Sequence, residues 1–74
     1  MKELELAALR EDLPGHGLVK GDIGTVVLVH EDGAGYEMEF ATLSGETVAV
    51  VTLKATQVRP INPREIAHAR HVAV

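Results

Sequence analysis

The sequence predicts a mainly β protein: a small, five-stranded, strongly bent sheet or barrel with a short C-terminal helix or tail. Short runs rich in β-branched and aliphatic residues recur along the chain, and such residues favour strands. Turns that contain glycine separate these runs. The 74 residues are close to the smallest size at which one hydrophobic core stabilises a fold. We therefore expect one barrel domain over residues 1–61 and a C-terminal helical tail over residues 62–74.

The N-terminal residues predict a first strand and a loop. Hydrophobic and charged residues alternate over residues 3–9, which suits a short strand or a single helical turn. The strand is the preferred interpretation because Pro14, Gly15 and Gly17 follow almost at once and leave too little length for an average helix. These residues are expected to form a loop that returns the chain to the next strand.

A glycine-rich turn at residues 20–24 leads into the stretch with the highest β propensity. Gly21 and Gly24 can adopt the positive φ angles that a tight turn or a close backbone crossing needs. Gly21, Asp22 and Gly24 are therefore expected to be structural. The strand predicted over residues 23–30 is apolar on both faces, with Val27 and Val29 on the face opposite Val26 and Leu28. Such a strand is expected to be covered on both sides.

Three further strands follow. Residues 36–40 alternate strictly, so that Tyr36, Met38 and Phe40 should point inward while Glu37 and Glu39 face water. Residues 47–53 form a second strand that is apolar on both faces, and residues 54–57 have the length of one 3₁₀ turn. Residues 58–61 are expected to close the sheet at an edge, because Pro60 lacks an amide hydrogen.

The C-terminal residues carry the signals of a helix start. Asn62 suits an N-cap, Pro63 suits the first helical position, and Glu65 stands three residues after the cap. A helix of about three turns would place Ile66, Ala69 and Ala73 along one stripe. Such a helix is expected to pack on the barrel or on a partner, because an isolated helix this short is marginal.

Composition indicates a soluble, cytoplasmic protein with an acidic body. The net charge is −4, and the first residues lack the basic and apolar segments of a secretion signal. Residues 62–74 carry a charge of +1, so residues 1–61 carry −5. This balance opposes attraction to phosphate backbones or anionic membranes. No cysteine is present, so no disulfide or thiolate metal site can form.

Catalytic and metal-binding patterns are weak, so we expect a protein that is not an enzyme and has no cofactor. Ser44 is the only serine and has no identifiable base beside it in sequence. Glu37 and Glu39 share a strand face, which suits a solvated surface better than a catalytic pair. His68 and His71 lie at helical ligand spacing, but the sequence identifies no third ligand. Two solvated tail histidines are the preferred interpretation.

The strands that are apolar on both faces give the clearest functional indication. A small barrel needs only one face of each strand for its core. The other face must be covered by the tail, by a second copy of the chain or by another protein. The residues predicted to contact a protein partner are the following: Tyr36, Glu37, Glu39, Val27, Val29, Val48 and Val50.

Two resemblances extend this prediction. The glycine turn and strand at residues 20–27 resemble the KOW-type signature of SH3-like small barrels, found in ribosomal and transcription-elongation proteins. More of the chain, residues 3–61, resembles a family of small bacterial proteins catalogued as a domain of unknown function, through residues 13–14, 36–40 and 48–53. The family resemblance implies an SH3-like barrel without established catalytic residues. By analogy of fold and size, such a protein can neutralise a basic toxin or nuclease-like protein as an antitoxin or immunity-type partner.

Two alternative functions stay open at this stage. The KOW resemblance implies contact with nucleic acid or the ribosome, for which the available basic residues are Lys20, Lys54, Arg59, Arg64 and Arg70. The acidic body makes this alternative the less favoured one. The third possibility is a structural protein that associates with itself. No membrane partner is expected, because no apolar run approaches the length of a membrane span.

Overall fold

The computed structural model describes residues 1–72 and shows five antiparallel strands connected by turns. The strands are β1 Leu6–Leu9, β2 Ile23–His30, β3 Gly35–Ala41, β4 Thr47–Lys54 and β5 Val58–Pro60. Three single 3₁₀ turns lie at Pro14–His16, Glu31–Gly33 and Ala55–Gln57. The mainly β prediction is confirmed, and β2 has the predicted bounds.

All five strands belong to one bent sheet in the order β4-β3-β2-β1-β5. Each neighbouring pair is antiparallel. The sheet does not close, so β4 and β5 lie at its two edges. Pro60 ends the edge strand β5, as predicted from its missing amide hydrogen.

Strand β1 is shorter than the expected strand over residues 3–9 because the backbone leaves the extended conformation at Leu4. This residue has φ +71°, in the left-handed region that L side chains rarely adopt. Its amide donates a hydrogen bond to the carbonyl of Val26, with an N–O distance of 2.6 Å. The chain thus stays attached to β2 ahead of the regular strand.

Two β-bulges alter the predicted alternation of side chains. In β2 the register passes from Val26 opposite Met38 to Leu28 opposite Glu37, so Val27 has no partner. The extra residue moves Val29 to the side of the core, against which it packs. The expectation that Val29 shares a face with Val27 is therefore wrong.

The second bulge lies near the start of β4. Phe40 pairs with Ala49 and Ala41 pairs with Thr47, so Val48 is the extra residue. Val48 is partly buried and also packs against the core. Bulges of this kind increase the local twist and bend a strand, which suits the strong curvature expected of so small a sheet.

The core lies on one face of the sheet and is built from side chains of all five strands. Strictly alternating β3 contributes Tyr36, Met38 and Phe40, as predicted. The remaining buried hydrophobic residues of this cluster are Ala7, Leu9, Leu18, Val26, Val51, Leu53 and Val58. One face of each strand therefore supplies the core.

The C-terminal segment over residues 62–72 is an irregular tail with a turn at residues 63–64; of the expected helix or tail, the structure shows the tail, and the predicted helix is wrong there. Asn62 Oδ1 accepts the amide hydrogen of Arg64, and Glu65 Oε1 accepts that of Asn62. This local cap forms as the sequence indicates, but no helix follows. Ile66 is 95% exposed, so the predicted stripe has no burial to stabilise a helix. Ala73, the last residue of that stripe, lies outside the described residues.

No helix within residues 1–72 has the length and apolar character needed to cross a membrane.

Candidate functional site: the outer face of the sheet

We call the side of the sheet opposite the core the outer face. Because side chains alternate along a strand, the pairing registers identify its members. One row runs from Leu6 through Thr25 and Glu39 to Val50, across four strands. A second row joins Leu28, Glu37 and Thr52. The unpaired Val27 of the β2 bulge adjoins both rows.

Four apolar side chains of the outer face are exposed. Leu6 is 54% exposed, Leu28 42%, Val50 57% and Val27 39%. The tail leaves them accessible, so the cover expected from a C-terminal helix is absent over residues 62–72. Exposed apolar side chains grouped on one surface and bordered by polar groups are typical of interaction sites.

The carboxylate of Glu37 is fixed in position on this face. Its Oε2 lies 2.7 Å from His30 Nε2, and its Oε1 accepts a hydrogen bond of 3.1 Å from the hydroxyl of Thr52. The hydrogen bond with His30, followed by that from Thr52, lowers the pKa of Glu37 below its usual value. Glu37 is therefore ionised at neutral pH and oriented by its two neighbours.

Glu39 is held in a similar way, two residues further along β3. Its Oε2 accepts a hydrogen bond of 2.5 Å from the hydroxyl of Thr47 on β4. A carboxylate offers about four acceptor positions, so both glutamates keep sites for additional donors. Together they present two negative charges, about 7 Å apart along the strand, between exposed apolar side chains.

The structure separates the seven predicted contact residues into two groups. Glu37, Glu39, Val27 and Val50 lie on the exposed outer face, as the prediction requires. Tyr36 is only 6% exposed and belongs to the core, and Val29 and Val48 pack against the core beside the two bulges. These three residues therefore do not form part of the candidate surface.

Two outer-face residues were missed by the sequence prediction. Uninterrupted alternation places Leu28 on the same face as Val26, and the bulge reverses this position. Leu6 alternates with Ala7 in β1 and opposes Thr25. The alternating pattern is sufficient to predict that Leu6 lies on the outer face, whereas the residue types do not predict the bulge in β2.

The glycine-rich turn has a structural role. Gly21 has φ +93°, which supports the interpretation of a tight turn. Gly24 lies in β2, where a Cβ atom would come within 2.8 Å of Phe40 Cε1 and 2.9 Å of the Glu39 carbonyl oxygen. Only a glycine allows β2 to pass this close to the core ring.

Asp22 of the same turn anchors the C-terminal tail. Its Oδ2 accepts the amide hydrogen of Val19. Arg70 donates from Nε to Oδ1 at 2.8 Å and from Nη2 to Oδ2 at 2.5 Å, and also to the carbonyl of Gly17 at 3.0 Å. The hydrogen bond from Arg70 is the main reason that the pKa of Asp22 is lowered, and it raises the pKa of Arg70 in turn.

A second ion pair fixes the start of the tail. Arg59 Nη1 and Nη2 donate to the two carboxylate oxygens of Glu65, each at 2.7 Å. The Arg59 hydrogen bond, with that from the Asn62 amide, lowers the pKa of Glu65 to about 2. Arg59 and Arg70 are two of the five basic residues available to a nucleic-acid site. Both already bind carboxylates.

The weaker chemical candidates are not brought together. Ser44 lies in the exposed β3–β4 turn, where its hydroxyl is 2.9 Å from that of Thr42. Within residues 1–72, no three histidine, aspartate or glutamate side chains are close enough to hold a metal ion. His68 and His71 lie in the irregular tail and not on a helix.

The fold and this surface define a small, all-antiparallel β protein with a mixed apolar and acidic outer face. The family model described as a domain of unknown function, DUF4926, matches residues 3–60. The chain belongs to this family, which confirms the resemblance to a domain of unknown function. The match ends at the last residue of β5, so the tail lies beyond it. Comparisons with curated proteins and with solved structures gave no match.

Proposed function

We propose that this protein is a non-catalytic interaction module that binds a basic protein through its outer face. The observation that carries the proposal is the arrangement of exposed Leu6, Leu28 and Val50 around the oriented carboxylates of Glu37 and Glu39. Apolar area supplies affinity when water is displaced, whereas fixed charges select a partner of opposite sign.

The charge of the chain supports a basic partner. The protein carries a net charge of −4, and complementary charge increases the association rate of two proteins. Glu37 and Glu39 offer acceptors to lysine or arginine side chains of the partner. An antitoxin or immunity-type inhibitor of a basic toxin-like protein has these properties, and this is the partner class that we favour.

The proposal also covers the type of fold, the bacterial origin and the cellular location of the protein. The strand order β4-β3-β2-β1-β5 supports an SH3-like arrangement in which the sheet has not closed into a barrel. Together with the family resemblance, it leads us to propose a bacterial, cytoplasmic protein.

A capture experiment with matched variants tests the proposal. The wild-type protein, Leu28→Lys and Leu43→Lys are each immobilised and exposed to an extract of the source cells. Leu43 is fully exposed in the β3–β4 turn, so Leu43→Lys controls for the loss of an exposed leucine. We expect the wild type and Leu43→Lys to retain the same basic protein, and Leu28→Lys to lose it at least tenfold.

Two results would oppose this function. Equal retention of the basic protein by all three immobilised proteins would show that the outer face is not the binding site. Retention of nucleic acid, sensitive to nuclease and to moderate salt, would favour the alternative of a nucleic-acid-associated protein.

A further inference from the structure

A cavity beside β1 and β5 is bordered by basic residues. Its volume is about 310 Å³, and its lining residues are Leu9, Arg10, Lys20, Gly21 and Arg59. Three of the seven lysine and arginine residues of the chain therefore border one cavity, although the protein carries a net charge of −4. Within residues 1–72, no acidic residue lines this cavity. It is a local basic site on an acidic protein.

Backbone hydrogen bonds hold the walls of this cavity together. The amide of Gly21 donates to the carbonyl of Leu9 at 2.9 Å, and the amide of Arg10 donates to the carbonyl of Gln57 at 2.8 Å. Arg59 lies in β5, which pairs with β1. The fold thus brings basic residues from three separate stretches of the chain to one place, as a preformed ligand site requires.

Arg10 and Lys20 are available to a ligand. Both residues are exposed, and neither takes part in the ion pairs of residues 1–72. The carboxylates close to them in sequence accept hydrogen bonds from groups other than these two side chains; they are Glu11, Asp12 and Asp22. An anion from solution would therefore meet two cations that have no ion-pair partner in the described part of the chain.

Arg59, the third cation, already binds an oxyanion. Its Nη1 and Nη2 donate to the two carboxylate oxygens of Glu65, each at 2.7 Å. In this paired geometry an arginine recognises either a carboxylate or a phosphate group. Glu65 belongs to the tail, beyond the residues 3–60 that match the family model. The tail thus supplies a carboxylate to a basic site formed by the sheet.

We propose that this cavity binds a small anion of the phosphate class, with Glu65 as an internal competitor for Arg59. Three cations favour a phosphate over a single carboxylate, because a phosphomonoester carries a charge of about −1.5 to −2 at neutral pH. The cavity volume lies at the lower end of the range for small-molecule sites, about 300–1,000 Å³. The lining residues are separate from the outer face, so this inference is independent of the basic protein partner.

Titration of the ¹⁵N-labelled protein with inorganic phosphate, with chloride used to keep the ionic strength constant, tests the site. We expect saturable shifts of the amide signals of Arg10, Lys20 and Gly21, with a dissociation constant on the order of 1 mM because the ligand has few atoms. Arg10→Gln and Lys20→Gln should each weaken binding at least threefold. Lys54→Gln removes an equal charge at the opposite edge of the sheet and should bind phosphate like the wild type.

A second variant tests the competition. Glu65→Gln keeps the size of the side chain but removes its charge, so Arg59 becomes available to phosphate. We expect this variant to bind phosphate at least threefold more tightly than the wild type. Glu46→Gln removes an equal charge from the turn between β3 and β4 and should leave the affinity for phosphate unchanged.

Three results would overturn the inference. They are amide shifts that chloride alone reproduces, equal weakening of phosphate binding in Lys20→Gln and Lys54→Gln, and an affinity for phosphate that Glu65→Gln leaves unchanged. Retention of the basic protein by Leu28→Lys would oppose the proposed function and leave phosphate binding unaffected. The two proposals can thus fail separately.

Discussion

At the scale of single residues, Gly24 shows why the glycine-rich turn cannot accept larger side chains. Its Cα faces the ring of Phe40 and the backbone of Glu39. The ring is only 2% exposed and is surrounded by core residues, so it cannot move away without disturbing them. The glycine is therefore required by packing and not by an unusual φ angle.

We predict that Gly24→Ala destabilises the protein by about 1–3 kcal/mol, the usual cost of overpacking a core. The free energy of unfolding should be measured by urea denaturation. Gly15→Ala is the matched control, because a Cβ at Gly15 would meet no atom within 4 Å. A Gly24→Ala variant as stable as the Gly15→Ala control would show that the approach of β2 to Phe40 is looser than described.

Leu4, in contrast to Gly24, is a residue whose side chain contributes little to the packing of the fold. It is 81% exposed and has φ +71°, a conformation that costs an L residue about 1–2 kcal/mol. Asparagine tolerates this conformation better. The leucine therefore contributes strain and little burial.

Leu4→Asn should stabilise the protein by about 0.5–1 kcal/mol as part of this strain is relieved. A higher midpoint of urea unfolding with an unchanged slope would be the expected observation. Leu43 is also an exposed leucine but does not have a positive φ angle, so Leu43→Asn should leave the midpoint unchanged. A lower midpoint for Leu4→Asn would mean that the leucine makes stabilising contacts.

At the scale of elements, the tail depends on ion pairs because it has almost no apolar burial. Every residue from 62 to 71 is exposed. The ion pair between Arg59 and Glu65 holds the start of the tail. The ion pair between Arg70 and Asp22, which are 48 positions apart in sequence, holds its later part. The tail should therefore be sensitive to charge and pH, whereas the sheet is held by its core.

Arg70→Gln removes the ion pair with Asp22, so we expect residues 66–71 to detach from the sheet and become mobile at neutral pH. Arg64→Gln removes a charge from the same tail and should leave these residues in place. Backbone ¹⁵N order parameters measure the difference. For the variant, we expect values below about 0.6 in the tail and unchanged values near 0.85 in the strands. Tail values that stay high in Arg70→Gln would show that Arg70 is not the anchor.

Acid should release the tail of the wild type in the same way. Asp22 and Glu65 have pKa values below those of ordinary carboxyl groups, about 2 for Glu65. Their contribution is present above the unfolded-state pKa of about 4 and is lost as pH falls through the folded-state values. Because Arg70 lowers the pKa of Asp22, we expect the order parameters of residues 66–71 to decrease as the pH falls below about 4. Order parameters of residues 66–71 that stay unchanged in acid until the sheet itself unfolds would contradict this mechanism.

At the scale of the whole molecule, local signals predicted most of the sheet. The glycine turn predicts where β2 begins, strict alternation predicts β3, and Pro60 predicts the end of the edge strand. The bulges at Val27 and Val48 could not be predicted, because no glycine or proline stands beside either position. They reversed the assigned faces of Leu28 and Val29, and with them part of the candidate surface.

Long-range contacts account for the remaining differences. The cap signals at Asn62 and Glu65 are real locally, but whether a helix follows depends on burial that the tail does not obtain. Arg70 and Asp22 are far apart in sequence, so no local spacing pattern predicts that they form an ion pair. The predicted contact surface therefore retained Glu37, Glu39, Val27 and Val50, gained Leu6 and Leu28, and lost the residues that face the core.

The proposed function requires that the outer face, which is exposed in the isolated protein, becomes covered by a partner. Single cysteines at positions 28 and 43 test it through their alkylation rates, compared in buffer and in an extract of the source cells. We expect the extract to slow alkylation of the Leu28→Cys protein at least fivefold relative to Leu43→Cys. Equal changes at the two positions, or selective protection of position 43, would contradict the account.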